Sequence, residues 1–407
     1  MLFNIGRAAA PISILRQRNF GLIWSAITMS QMGSQMETVV VVWYVLNWTD
    51  SPLLAGLTAT ARLGFNFLAL FAGATADLVP RRTLMIIVQA VLASLAVLML
   101  ILIVTDLIEV WHVFIVTLAA GLARIFQMPT AQSLAVDSVS TERIPNAVAL
   151  INAAMNIALV VGPILGGLLF DFFGPEGAYV LVAGLYVASG VATFTMGRIR
   201  VAELQTRESV LTLVAEGLRY VKGEQLLWSA LLIAVIFNIT GFSFHTTLVP
   251  IFAKDVLDRD SLGLGILISS FGIGGLLGSM FWAAIPNLKH TGIFCILAVC
   301  GWHITMIVFA ASTNFYLSVG ILVVTGMMFS SSLVLVLTVL MQTGRPEFRG
   351  RLMGLRTLAI YAHAFGSLAA GAVAGLLGAP ATAVISGVFG ISMMIGLALI
   401  APKLRRF

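Results

Sequence analysis

Charge is what this sequence has little of. Of its 407 residues, 10% are Asp, Glu, Lys or Arg, while 59% are hydrophobic; soluble domains carry about 25% charged residues. That balance excludes an ordinary soluble globule and points to a chain with several membrane spans. Cysteine is nearly absent. Cys295 and Cys300 lie in one apolar stretch, on different faces of a helix, and form neither a disulfide framework nor a metal motif. Catalytic signatures are missing as well: there is no H-E-x-x-H metal pair, no G-x-x-x-x-G-K-[ST] phosphate loop and no nucleophile elbow. Enzymatic chemistry, ATP hydrolysis, a metal and a cofactor are therefore not expected of this chain. The Lys and Arg residues are dispersed rather than gathered in one patch, which argues against a nucleic-acid partner. The opening residues MLFNIGRAAAPISILRQRNFG show no A-x-A-like cleavage site after a short apolar core, so Phe20 onward is expected to be a true span.

What is present is apolar sequence in runs of about 20 residues, the length that crosses a bilayer as a helix. Twelve runs can be read: 20–46, 53–76, 83–105, 111–133, 146–170, 178–197, 226–252, 262–285, 291–311, 315–340, 352–377 and 381–401. With the N-terminus in the cytoplasm, 18 of the 23 Lys and Arg fall in cytoplasmic segments, and only Lys254 and Arg259 fall outside. The bias supports an even number of spans with both termini cytoplasmic. Three arginines remain inside spans: Arg62, Arg124 and Arg356.

The longest polar interval follows six spans and precedes six, so the expected division is 1–197, a linker at 198–225, and 226–407. Within the linker, Val210, Leu213, Val214 and Leu218 make a helical apolar stripe. This fits an amphipathic helix on the membrane surface or an ordinary solvated linker helix, and both readings stay open. The halves repeat weakly. A shift of 204 residues brings Ala158, Gly162, Gly167 and Gly174 onto Ala362, Gly366, Gly371 and Gly378. Parallel six-helix repeats are one way to build a transporter with alternating access to a central site.

One stretch stands out. In GSQMETVVVVWYVLN, residues 33–47, Glu37 lies deep in the first span, where a carboxylate costs about 2.5–3.5 kcal/mol. Glu37 is ten residues before Asn47, and Arg62 is ten residues after Pro52, so an antiparallel hairpin puts both near the midplane. Arg124 falls within about two turns of that depth. A pair with Arg62 or with Arg124 would offset the cost. Such a pair is either a folding device or part of a proton site, and the sequence leaves both open. Around Glu37, Thr28, Gln31, Gln35 and Thr38 form a polar stripe that belongs against other helices or a watery cavity.

Several motifs carry a family signal. GATADLVPRR (73–82), between the second and third spans, is similar to the loop motif of the major facilitator superfamily through Gly73, Asp77, Arg81 and Arg82, and departs from it at Leu78 and Pro80. VGPILGG (161–167), with Gly162, Pro163, Gly166 and Gly167, resembles the motif of exporters and antiporters in that superfamily. Its glycines would let another helix approach closely, and Pro163 would be able to kink the span. Arg124-Ile-Phe-Gln127 resembles a further family motif, with Met128 in place of its glycine. Stretches such as VPIFAKDVL and RPEFRGRLMGLRTLA resemble the bacterial branch of enterobactin exporters and drug-efflux relatives, although Ser34 stands where many members of that branch have an acid.

The resemblance implies an all-α membrane protein of twelve transmembrane helices in two pseudo-symmetric six-helix bundles. It implies a secondary-active exporter in the bacterial inner membrane, working as a monomer in the lipid bilayer and coupled to protons. Its cargo would be a small organic compound, either a siderophore-like anion or an amphipathic drug. A lipid or lysolipid transporter and a non-transporting membrane sensor are the alternatives. Glu37 is the expected proton-coupling group and Arg62 and Arg124 its charge partners. By the same resemblance the first, fourth, seventh and tenth spans line the cavity, which makes Gln31, Gln35, Thr38, Gln127, Asn238 and His245 candidates for substrate contact. His303 is expected to be structural.

Overall fold

The computed structural model describes residues 13–63, 68, 80–197, 210–285 and 290–407. Among these, every regular element is helical, and nine helices are long and apolar enough to cross a membrane. One of the nine, Ile144–Phe194, holds two spans. Gly174 is the one residue inside it with non-helical dihedrals, at φ 69° and ψ −177°, and Pro175 follows it at the start of the next helix. Pro163 keeps helical dihedrals, so the fifth span runs through it as one helix. The first span, Arg18–Thr49, is a continuous 32-residue helix diluted by its own polar stripe. The second, Pro52–Leu63, is described over 12 residues. These helices are consistent with the twelve runs read from the sequence.

Burial is inverted relative to a soluble protein. Ser30 and Gln89 are fully buried and Glu37 is 4% exposed, whereas Ile101, Val187 and Val191 are at least half exposed. Apolar side chains face outward because the surrounding solvent is hydrocarbon, and polar groups turn inward to find partners.

By contacts the chain forms two compact units, Met1–Val40 with Leu68–Arg207, and Val41–Phe67 with Glu208–Phe407. Residues 41–63 group with the second half of the chain. Small residues are the reason. A Cβ on Gly56 would lie 2.7 Å from the Ser367 carbonyl oxygen and 2.9 Å from the Gly371 Cα, and Thr60 donates to the Ala364 carbonyl at 3.1 Å. Nearer the start of that segment Lys254 donates to the Leu46 carbonyl at 3.0 Å and to Asp50 at 2.7 Å.

The Lys254 ammonium holds the Asp50 carboxyl below the usual carboxylate range, chiefly through that hydrogen bond and then through its charge. A lowered carboxyl contributes stability that is present above the ordinary aspartate range and is lost as pH falls through the lowered value. Asp50→Asn is therefore expected to lower the melting temperature slightly at pH 7 and not at all in strong acid. Added salt should shrink the difference, because Asp50 is exposed. A difference that persists unchanged at low pH would rule this pairing out.

The repeat read from the sequence appears in the backbone. In the first unit Gly162 and Gly166 bring the fifth span onto the first, with a Cβ on Gly166 placed 2.9 Å from the Met36 Cα. In the second unit Gly366, the counterpart of Gly162, brings the eleventh span onto the Ile239 backbone of the seventh. Gly174 and Gly378 both have positive φ, 69° and 79°, and each is followed by a helix with Pro in its first turn.

The amphipathic helix of the linker spans Val210–Gly223. It packs on protein: Glu216 pairs with Arg351 at 2.7 Å, and Tyr220 stacks on Phe348 with 4.2 Å between centroids. Linker residues 198–209 lie outside the described residues. Cys295 is buried, Cys300 is half-buried, and both are free thiols.

Candidate functional site

The first span carries Glu37 into the first unit, where two groups converge on it. Arg124, from Val110–Asp137, donates through Nη2 to Glu37 Oε2. Tyr186, from the sixth span, donates its hydroxyl to the same oxygen at 3.1 Å, and its own oxygen accepts from Arg124 Nη2 at 2.8 Å. Carboxylate, guanidinium and phenol thus close a triangle with little access to solvent. The arginine neutralises a charge that would otherwise be prohibitive at this depth. It does so with one nitrogen only, since Nε and Nη1 of Arg124 are buried without a hydrogen-bond partner among the described residues. A guanidinium with two unused donors can turn to another acceptor if the carboxylate is neutralised.

A second polar chain runs beside the first. Gln127 Nε2 donates to Ser30 Oγ, and Ser30 Oγ donates to Gln89 Oε1 at 3.0 Å, which links the fourth, first and third spans. Gln31 Nε2 contacts Met128 Sδ at 3.1 Å. The Thr38 hydroxyl turns back onto the Ser34 carbonyl at 2.9 Å within its own helix. Gln35 places its Cβ against Gly162 in the close approach of the first and fifth spans. The first span is further pinned by Trp24 Nε1 donating to the Leu150 carbonyl at 2.8 Å and by Ser189 donating to the Ala26 carbonyl at 2.7 Å.

Sequence reasoning missed Tyr186 and Gln89. A tyrosine in mid-span, away from the interfaces where tyrosines concentrate, was a legible signal. So was one glutamine in an otherwise apolar third span.

Of the loop motif, Gly73 and Asp77 lie outside the described residues. Arg81 pairs with Asp137, at the end of the fourth span, at 2.5 Å. Arg82 donates to the Phe194 and Thr193 carbonyls, capping the last turn of the sixth span as a cation suits a helix C-terminus. Gly162, Pro163, Gly166 and Gly167 all belong to the buried face of the fifth span.

The remaining candidates are in the second unit. Arg62 stands in the last turn of the described helix Pro52–Leu63. Asn238 and His245 occupy a π-helical stretch of the seventh span, at Phe237–Phe242 and Phe244–Leu248. Such wide turns occur often at functional positions. The Asn238 amide bonds back to the Ala234 carbonyl at 2.8 Å. The His245 ring stacks on Phe271, 4.0 Å between centroids and 19° between planes. His303 is enclosed by Thr240 and the Val299 carbonyl, each at 2.7 Å.

The model of a family described as transmembrane secretion effector matches residues 9–406. The multidrug efflux pump Tap of Mycolicibacterium fortuitum is 25% identical over 373 residues, 89% of this chain and 90% of that protein. The pump of the same name from Mycobacterium tuberculosis is 25% identical over 391 residues, 90% of each. Among solved structures, a bacterial homologue of the human lysosomal transporter Spinster, inward-facing and unoccupied, superposes with a TM-score of 0.74 at 13% identity. It covers 95% of this chain and 96% of that one. The nucleoside transporter NupG superposes with a TM-score of 0.74 at 14% identity, covering 94% and 100%.

Proposed function

The chain belongs to the transmembrane secretion effector family of the major facilitator superfamily, and from that premise we propose that it exports small organic compounds from a bacterial cell in exchange for protons. It is a multi-pass membrane transporter. Proposed beyond that are its place in the cytoplasmic membrane with both termini inside, its action as a monomer, and a cargo of siderophore-like anions or amphipathic drugs. The relatives named as multidrug efflux pumps support the direction of transport.

One observation carries the coupling: Glu37, Arg124 and Tyr186 form a closed buried triangle in the first unit. A proton taken up by the Glu37 carboxylate removes its charge and releases Arg124, whose Nη2 keeps the Tyr186 oxygen. The freed guanidinium favours a different packing or a different acceptor, and loss of the proton restores the pair. One titrating group then biases two arrangements of the same helices.

The experiment is compound accumulation in an efflux-deficient bacterium, comparing wild type with Glu37→Gln at matched membrane expression and using siderophores, dyes and drugs. Glutamine keeps an acceptor oxygen for Tyr186 and loses only the charge and the proton. Wild type is expected to lower accumulation of at least one compound, and the variant to abolish that effect. Normal export by Glu37→Gln would remove Glu37 from coupling, and no export of any compound by wild type would remove the export proposal.

A further inference from the structure

The second unit holds a cation for which the coupling triangle has no use. Arg356 lies on the helix Arg349–Tyr361, half-buried, and no acidic or hydrogen-bonding partner meets its guanidinium among the described residues. An unpaired charge inside a span is costly, and such residues mark paths for polar or ionic ligands. Arg356 shares a helical stripe with Leu352, Ala359 and His363, all buried. Half a turn round the same span, Phe365 is 75% exposed. The arginine therefore points into the unit and away from the lipid-facing side.

Two turns further along that stripe, about 10 Å at 1.5 Å per residue, His363 sets its ring edge-on to Phe242, with 5.2 Å between centroids. Phe242 belongs to the π-helical stretch and adjoins His245 and Phe329 at 5.9 and 5.5 Å. Phe271 closes the group, stacked on His245 and 5.1 Å from Phe329. Each histidine keeps one buried ring nitrogen without a partner among the described residues, Nδ1 on His245 and Nε2 on His363. Buried polar atoms left unsatisfied beside aromatic faces call for a ligand with both a flat ring and polar substituents.

We infer that this face of the second unit is a recognition site for planar aromatic anions. The ring system packs on Phe242 and its aromatic neighbours, the two histidine nitrogens bond its polar substituents, and its carboxylate or sulfonate pairs with Arg356. The inference rests on the reading above that the cargo is a small organic compound, and it narrows the class to anions.

Fluorescein and rhodamine 123 share a xanthene skeleton and differ in charge, so they separate ring stacking from charge. Purified protein in nanodiscs is titrated against each dye by fluorescence anisotropy. Wild type is expected to bind fluorescein more tightly than rhodamine 123. Arg356→Gln should weaken fluorescein by about tenfold or more, the loss expected for one charge-assisted hydrogen bond, and leave rhodamine 123 unchanged. Arg356→Lys should recover part of the loss, which separates a charge effect from misfolding. Equal binding of the two dyes by wild type, no fluorescein binding, or an unchanged affinity in a monodisperse Arg356→Gln protein would each overturn the site. Cellular efflux separates the two proposals. Efflux of other compounds without Arg356-dependent binding of fluorescein sinks only this inference. Arg356-dependent binding without efflux of any compound sinks only the export reading.

Discussion

Replacing Arg124 by alanine is expected to destabilise the protein by about 3–5 kcal/mol, the loss typical when one partner of a buried ion pair is removed. Glu37 is buried, so the variant leaves its carboxylate with the Tyr186 hydroxyl alone. That carboxylate must then take up a proton or draw water between the spans. Removing both charges should be far less harmful: Glu37→Gln with Arg124→Ala is expected to regain most of the loss. Tyr186→Phe keeps the ion pair and should lose only about 1–2 kcal/mol for its hydrogen bonds. Melting temperatures of wild type, Glu37→Gln, Arg124→Ala and the double variant in one detergent form a double-mutant cycle that isolates the pair. Additive effects of the two charge deletions would mean that the residues do not act on each other.

The fold was legible because bilayer thickness imposes run length, and run length survives any detail of packing. The repeat was legible at Gly174 and Gly378, where the backbone needs positive φ and the side chain must be absent. Depth along the normal was also readable, which is how Glu37 and Arg124 came to share a level. Angular position around a span was not. The hairpin argument offered Arg62 and Arg124 alike as partners for Glu37, and it said nothing of the grouping of residues 41–63 with the second half of the chain. Gly56 against Gly371 decides that placement, a close approach between residues more than 300 apart in sequence that no local pattern announces. Tyr186 and Gln89 were overlooked for a related reason. Each is a single polar residue in an apolar run, and its meaning depends on what faces it across the bundle. The linker helix shows the same limit, since its apolar stripe did not announce the pairing of Glu216 with Arg351.

Glycines of the second unit give the other large effect. Gly326→Ala is expected to destabilise the protein by about 1–3 kcal/mol or more, whereas Gly320→Ala on the same helix should be neutral or slightly stabilising. A Cβ on Gly326 would run into the Phe271 carbonyl oxygen and lie 2.9 Å from the Gly275 nitrogen, while a Cβ on Gly320 meets nothing within 4 Å. From the facing span, a Cβ on Gly278 would come 2.6 Å from the Met327 oxygen and 3.0 Å from its Cα. These obstacles are backbone atoms, so no rotamer change relieves them and the helices Ser261–Ala283 and Phe315–Thr343 must separate. In hydrocarbon the association of helices depends on close packing, because lipid tails solvate apolar faces as well as another helix does. Separation therefore loses the main attraction between the two spans. It also displaces Phe271, whose ring stacks on His245, so Gly326→Ala should weaken binding of fluorescein and of rhodamine 123 alike. That pattern differs from the charge-selective loss expected at Arg356. Equal melting temperatures for the Gly326 and Gly320 variants would show that the two helices do not approach this closely.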